Sequence, residues 1–368
     1  MNILVINGGS SSFKCWFGDF PSDRPLWSAH LGAIEAELEP ALKSLLAEHP
    51  KIDAVGHRIV HGGPRYREST PLTPEVRAAI AQQVEFAPTH NRFELEAVRT
   101  VDRVIGGDVL QIAVFDTGFH STLEPAAYVY PGPYSWLEKD VRRYGFHGIN
   151  HQYCAGRAAA MLQRDPASLN LIICHLGNGA SLCAVRGGKS VDTTMGFTPL
   201  EGLMMGTRSG SLDPGILVYL IRHRGYTAEQ LDRILNKESG LLGVSGISGD
   251  MRNITEAMVA GNPRAKLAFD VYTHRLLREI GGMLTVLGGV DAIVFTAGVG
   301  ENSVPLRQMV CDRLAFLGLK IDATQNAQPK LDQDIATPDS KVRVLIIRAN
   351  EEWQIAKECH RAATGRER

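Results

Sequence analysis

Four consecutive apolar residues, Ile3-Leu4-Val5-Ile6, are followed by the glycine and polar run Asn7-Gly8-Gly9-Ser10-Ser11-Ser12 and then by a second apolar stretch from Phe13 to Phe17. Short apolar runs bounded by turn residues have the pattern of buried strands, so this segment predicts two strands joined by a tight turn. The pattern returns at Leu171-Ile172-Ile173-Cys174, passes through His175-Leu176-Gly177-Asn178-Gly179, and continues from Ser181 to Val185 into a Gly187-Gly188 hairpin turn. Such a recurrence predicts an internal duplication.

Leu38, Leu42 and Leu45 stand at helical spacing, Ile52 to Val60 predicts a strand, and Thr73 followed by Pro74 marks a capped helix start. A strand from Gln111 to Phe115 delivers Asp116. In the second half, Thr227 and Gln230 form a capping box, and Leu267, Val271, Leu277 and Leu284 mark a long helix. Ile293-Val294-Phe295 runs as a strand into Gly298 to Ser303, a helix follows through Val310, Leu314 and Leu317, and a last strand, Val342 to Ile347, ends at Asn350-Glu351-Glu352. Strands alternating with helices predict an α/β fold, in which ligands sit beyond the carboxyl ends of the strands.

The chain has 368 residues, more than one core usually serves, which predicts two domains. With 39 basic against 40 acidic residues the formal charge is -1, which speaks against a nucleic-acid clamp. No stretch reaches the ~18 apolar residues of a membrane helix, and no targeting segment is visible. Six cysteines without a CxxC suit packed thiols in a reducing cytoplasm better than disulfides or zinc.

The turn at 7 to 12, with Lys14 close behind, offers backbone N–H groups and hydroxyls to an anion such as a phosphate, although capped surface turns share this composition. Neither a Walker nor a Rossmann pattern is present. Arg58, in His57-Arg58-Ile59-Val60-His61-Gly62-Gly63, and Arg208, in Gly206-Thr207-Arg208-Ser209-Gly210, fit anion clamps or structural salt bridges. Asp116 and Glu351, each at a strand exit, are carboxylates suited to magnesium beside phosphates, with helix capping as the competing role. His147 fits a hydrogen-bonding partner for phosphate, since the pair His147 and His151 lacks the glutamate of HExxH. The methionines and phenylalanine of the run 192 to 210 fit the wall of a small apolar pocket, and equally a hydrophobic plug.

Together these segments resemble the acetate kinase family, which includes propionate and butyrate kinases. The matching runs are Asn7 to Lys14, Gly56 to Gly63, Phe115 to His120, Arg143 to Gly148, His175 to Ser181, the run 192 to 210, Phe295 to Ser303 and Asn350 to Glu352, in family order. The resemblance implies duplicated actin-like (ribonuclease H-like) domains with an interdomain cleft: residues 1–117 with 353–368 as the first domain, and 118–352 as the second, nucleotide-binding and homodimer-forming one. It implies reversible transfer from ATP to acetate, giving ADP and acetyl phosphate, with Mg2+, for which Mn2+ can substitute.

By the same resemblance Asp116, Arg58, Arg208 and His147 are catalytic, and His147 and Arg208 stabilise the transition state. Asn7 and Glu351 hold the metal. Asn7, Lys14, His175, Asn178 and Gly179 meet the nucleotide phosphates, while Asp250, Met251, Arg252, Gly298, Val299 and Asn302 form the adenosine pocket. Arg58, Val60, Thr89, Phe146 and Pro199 bind the acid. An acid of this kind is ionised at pH 7 and needs no general base; it needs relief from anion repulsion. A base role for Asp116, as in sugar kinases of the wider fold, makes sense only with a hydroxyl nucleophile.

The chain departs from the family pattern at Gly8, Phe13, Met251, Ala349 and Trp353, none of which removes a charged group. Thr89, where an apolar residue is usual, points to a wider or more polar acyl pocket and makes propionate or butyrate the alternative acids. The chain is a few tens of residues shorter than most of the family, and the missing length falls between Phe17 and Leu38.

Overall fold

Two six-stranded sheets follow one plan in this computed structural model, which describes residues 1–9, 12–32, 35–82 and 88–365, the side chains of 35–36 and 88–92 excepted. The strands are β1 (Asn2–Gly8), β2 (Ser12–Asp19), β3 (Trp27–Gly32), β4 (Ala54–Ile59), β5 (Thr70–Pro71), β6 (Leu110–Phe115), β7 (Asn170–Leu176), β8 (Ala180–Arg186), β9 (Lys189–Thr193), β10 (Ala292–Thr296), β11 (Gln333–Asp334) and β12 (Arg343–Ile346). The first sheet runs β3-β2-β1-β4-β6-β5 and the second β9-β8-β7-β10-β12-β11, the same order element for element. In each, three parallel strands lie between an antiparallel meander and a two-residue antiparallel edge strand. The duplication expected from the two hairpins is present, and the architecture is that of duplicated actin-like α/β domains.

The chain divides into two compact units: Met1–Ser121 with His147–Tyr153 and Asn350–Arg368, and Thr122–Phe146 with Cys154–Ala349. In the first, the sheet is covered on both faces, which is why β1 is apolar at every position from Ile3 to Ile6. Leu4 and Ile6 join Leu38, Leu42, Leu45, Ala97 and Val101 on one side, while Ile3 and Val5 meet Ile355, Ala356 and Cys359 of the helix Glu351–Thr364 on the other. That helix approaches β4 at Gly56, where a Cβ would lie 2.9 Å from Ile355 Cγ2.

In the second unit the helix Pro263–Leu287 starts at the Asn262 cap and stops at Gly288, which has φ 71°. Its buried stripe is Ala265, Ala268, Phe269, Tyr272, Leu276, Ile280, Met283 and Leu287. Leu267, marked from the sequence as a core position, is 53% exposed, and Val271, Leu277 and Leu284 are only half-buried. The stripe begins with small and aromatic residues, and the leucines in it are Leu276 and Leu287 rather than those marked from the sequence. The Thr227–Gln230 capping box forms as expected, and Gly187 and Gly188 make the hairpin turn with φ 58° and 76°. The helix expected through Leu317 ends at Arg313 and passes into a tight turn at Ala315–Leu317.

Between Phe17 and Leu38 stands β3, which sequence reasoning missed; its Trp27, Ala29 and Leu31 pack on the core while Ser28 and His30 point away. All six cysteines are buried free thiols. Among the described residues no helix is long and apolar enough to cross a membrane.

Gly56→Val would press a branched side chain against Ile355 and Cys359 and is expected to cost about 1–3 kcal/mol. Amide exchange should then speed up across Glu351–Thr364 and stay unchanged across Pro263–Leu287; uniform exchange in both helices would contradict this packing.

Candidate active site

In the first unit the polar residues gather where parallel neighbours end together. β4 and β6 are paired in register, Ile59 opposite Phe115, and the Asp116 N–H extends the ladder to Ile59 O at 2.8 Å. Arg58 and Asp116 are thereby brought side by side. The guanidinium donates from Nη2 to Asp116 Oδ2 at 2.9 Å and from Nη1 to Gly8 O at 2.6 Å. Burial works against the Arg58 charge, but the carboxylates of Asp116 and Glu351 outweigh it and hold its pKa above the usual arginine value. The salt-bridge reading of Arg58 is therefore realised.

Asp116 is 1% exposed. Its Oδ2 also accepts the backbone N–H of His147 at 3.0 Å, and its backbone oxygen accepts the N–H of Gly148 at 2.8 Å. A Cβ on residue 148 would lie 2.3 Å from that oxygen, so only glycine fits. His147 itself has φ 57°, a left-handed conformation uncommon outside glycine. Asp116 Oδ1 and Arg58 Nε are buried without a hydrogen-bond partner, so the pair keeps one acceptor and one donor uncommitted.

Asn7, next to last in β1, is 6% exposed; its Nδ2 donates to Glu351 Oε2 at 2.9 Å and Glu352 Oε1 at 2.8 Å. Both acids open the helix Glu351–Thr364, where its dipole favours them, and Asn350 caps that helix. Lys14 lies opposite Asn7 on β2 and is exposed. Ser10 and Ser11 of the expected phosphate turn, and the side chain of Thr89, lie outside the described residues. His57 and His61 are buried, and burial lowers both to about 4, which leaves them neutral.

Val60, at the exit of β4, is buried, and its N–H donates to both carboxyl oxygens of Glu94, at 3.2 and 3.1 Å. Sequence reasoning passed over Glu94. Its signal is an acid set among Phe93, Leu95, Ala97 and Val98 on the helix Pro88–Val104.

In the second unit His175 is next to last in β7, and Asn178 and Gly179 form the turn into β8. The Gly206 N–H donates to Asn178 O at 3.0 Å, and a Cβ at Gly206 would lie 2.2 Å from Asn178 Oδ1, so the run 192 to 210 reaches this turn through glycine. Arg208 donates from Nη1 to Pro199 O at 3.1 Å. Met195, Leu203, Met204 and Met205 are buried, as a hydrophobic plug requires.

Arg143, given no role from the sequence, organises this run. Its Nη1 donates to the carbonyls of Thr193, Thr194 and Met195 at 3.0, 3.0 and 2.9 Å, and its Nη2 meets Glu201 Oε1 at 2.7 Å. Glu201 is held in turn by the Tyr130 hydroxyl. Phe146, three residues along from Arg143, is buried.

Gly298, Val299 and Asn302 lie on the short helix Ala297–Asn302, which leaves β10 through Ala297 at φ 64°. A Cβ at Gly298 would meet nothing within 4 Å, so packing within the chain does not demand glycine there. Asp250 caps the helix Met251–Val259 and pairs with Arg252 at 2.6 Å, while Met251 is buried. Arg307, fully buried, donates to Gly300 O and Glu301 O at the end of the short helix. No described group of three or more His, Cys, Asp or Glu side chains is arranged to hold a metal ion.

The model of the Acetokinase family matches residues 27–357. An acetate kinase of Gloeobacter violaceus is 51% identical, with 98% of each chain covered. Among solved structures, the acetate kinase of Porphyromonas gingivalis superposes with a TM-score of 0.91 at 37% identity, over 98% of this chain and 99% of that one. A propionate kinase of Francisella tularensis gives 0.88 at 34% identity over the same shares. The order of the sheets, the strand-exit residues and these likenesses agree, and the chain belongs to the acetokinase family of ATP-dependent kinases.

Proposed function

We propose that this enzyme is an acetate kinase, which passes the terminal phosphoryl of ATP to acetate by direct in-line attack and gives acetyl phosphate and ADP reversibly. What supports the reading is the buried Arg58–Asp116 pair, with one acceptor and one donor still open, in a chain half identical to a protein named acetate kinase.

The acid is already a nucleophile at neutral pH, so the barrier to be lowered is the approach of one anion to another. Arg58, fixed by Gly8 O and Asp116, would hold the carboxylate. Val60, Phe146 and Pro199 would enclose its methyl group, with Thr89 beside them. Arg208 and His147 would donate to the phosphoryl oxygens as charge spreads over them. Asp116 then acts by orienting Arg58 and the His147 backbone, not as a base. His175, Asn178, Gly179, Asn7 and Lys14 would line the phosphate path. Gly298, Val299 and Asn302, with the surface pair Asp250 and Arg252 above a buried Met251, would take the adenosine.

Magnesium fits the donors of the first unit: Glu351 and Asn7 offer few protein ligands and leave the rest to phosphate and water, as this ion prefers. When bound, it would neutralise phosphate charge.

Propionate is the second reading, favoured by the likeness to the Francisella protein and by Thr89. The six buried thiols support a cytoplasmic setting. A homodimer through the second unit is supported by the helix Pro214–Arg224, which buries none of its residues and leaves Ile216, Val218, Tyr219 and Ile221 44 to 49% exposed.

Trapping the acyl phosphate as a hydroxamate across acetate, propionate and butyrate should give the highest kcat/KM with acetate, and Arg208→Ala should lower kcat about a hundredfold or more. A higher value with propionate would reassign the acid, and unchanged turnover in the variant would remove Arg208 from the reaction. Sedimentation should show a dimer that Ile216→Lys with Tyr219→Lys converts to monomer; a wild-type monomer would refute the interface.

A further inference from the structure

One carboxyl behind the first unit's strand exits has no part in the mechanism above. Glu94 is 2% exposed, and both its oxygens point at a single neutral donor, the Val60 N–H. Its stem lies near the β1–β2 turn, where a Cβ on Gly8 would stand 3.6 Å from Glu94 Cγ and 3.2 Å from the Phe13 ring. A buried carboxylate normally secures a cation or several donors. Here the neighbouring cation, Arg58, directs its hydrogen bonds to Asp116 and Gly8 and makes none to Glu94.

We propose that Glu94 carries a proton in the working enzyme and is a positioning residue for the acid substrate: it fixes the Arg58–Val60 segment without adding a second buried anion beside Arg58. Resting on the acetate kinase reading, this adds a residue that controls how the acid is received. With Glu94 neutral, Arg58 is balanced inside the chain by Asp116 and, less directly, by Glu351, and can still attract a carboxylate. With Glu94 ionised, one more negative charge would work against the incoming acid.

The surroundings favour the neutral form. Burial, with a smaller contribution from the Asp116 charge, outweighs the lowering effect of Arg58 and the Val60 N–H and raises Glu94 to about 8. From β4 and its exit the remaining titratable groups, His57 and His61, are neutral. From β1 and β2 the neighbours are Gly8 and the Phe13 ring. The helix Glu35–Glu48 packs on the helix Pro88–Val104 through Leu38, Leu42 and Leu45, with its Glu39 and Lys43 paired on the exposed side. The helix Pro74–Gln82 directs Arg77 to Asp102, two turns along from Glu94.

The sign follows from proton linkage. A carboxyl with a raised folded-state value holds its proton in the folded chain while the unfolded chain has lost it, so its contribution to stability is complete below the ordinary glutamate value and is lost as pH rises towards about 8. If only the protonated form receives the acid well, the acetate KM rises up to about tenfold from pH 7 to 9, as the competent fraction falls.

The test compares the wild type with Glu94→Gln, which keeps an acceptor for the Val60 N–H and cannot ionise. At saturating magnesium and ATP, the wild-type acetate KM should climb between pH 7 and 9 with kcat and the ATP KM nearly constant, while the variant stays flat. Thermal midpoints, measured without substrates, should fall from pH 5 to 8 in the wild type more steeply than in Glu94→Gln. Equal midpoint slopes overturn the buried proton, and an acetate KM that rises equally in both proteins overturns the role at the acid site. If the wild type turns over no acetate but the midpoint slope still flattens in the variant, the proton assignment is supported and the acetate kinase reading alone fails.

Discussion

A buried ion pair at the ends of two neighbouring parallel strands governs the first unit's site. Removing Arg58 and Asp116 from water is costly, and the Coulomb attraction between them offsets that cost only when their remaining hydrogen-bonding capacity is largely met. Gly8 O and the His147 N–H meet part of it. These two contacts join the glycine turn at the end of β1 and the left-handed turn at His147 to the same pair, so four segments distant in sequence meet at one interaction. The unmet remainder, Asp116 Oδ1 and Arg58 Nε, is where a ligand gains most.

Duplication gives the two sheets one topology and different chemistry. Aligning β1 with β7 through their parallel partners sets Arg58 of β4 against Thr296 of β10, and Asp116 after β6 against Ala349 after β12. Where the first unit places an ion pair, the second places a hydroxyl and a methyl. Its short helix at Ala297–Asn302 begins there, and Glu301 Oε1 accepts the N–H groups of both Ala297 and Ala349 at 2.9 Å. One fold plan thus presents charge in one copy and a glycine-rich helix in the other, as unequal handling of an acid and a nucleotide would require.

Much of this was legible in the sequence because buried parallel strands are apolar without interruption and their exits are marked by polar or glycine residues. Arg58, Asp116 and the turns around Asn178 and Gly298 stand out for that reason. β3 was not legible by the same rule, since an edge strand buries one face and reads as a weak alternation from Trp27 to Gly32. The stripe of Pro263–Leu287 differs from the expectation because its buried face begins with Ala265, Ala268, Phe269 and Tyr272, which carry no leucine signal, and its buried leucines are Leu276 and Leu287. Glu94 and Arg143 were invisible for a different reason: each acts on backbone groups of a distant segment, and no local pattern announces such a contact.

If Arg58 and Asp116 function as one unit, a double-mutant cycle on kcat/KM for acetate reveals it, using Arg58→Gln, Asp116→Asn and the double variant, with folding checked by circular dichroism. Coupled residues predict that the double variant is about as impaired as the worse single one, a coupling of at least ~1 kcal/mol. Losses that simply add would contradict the account.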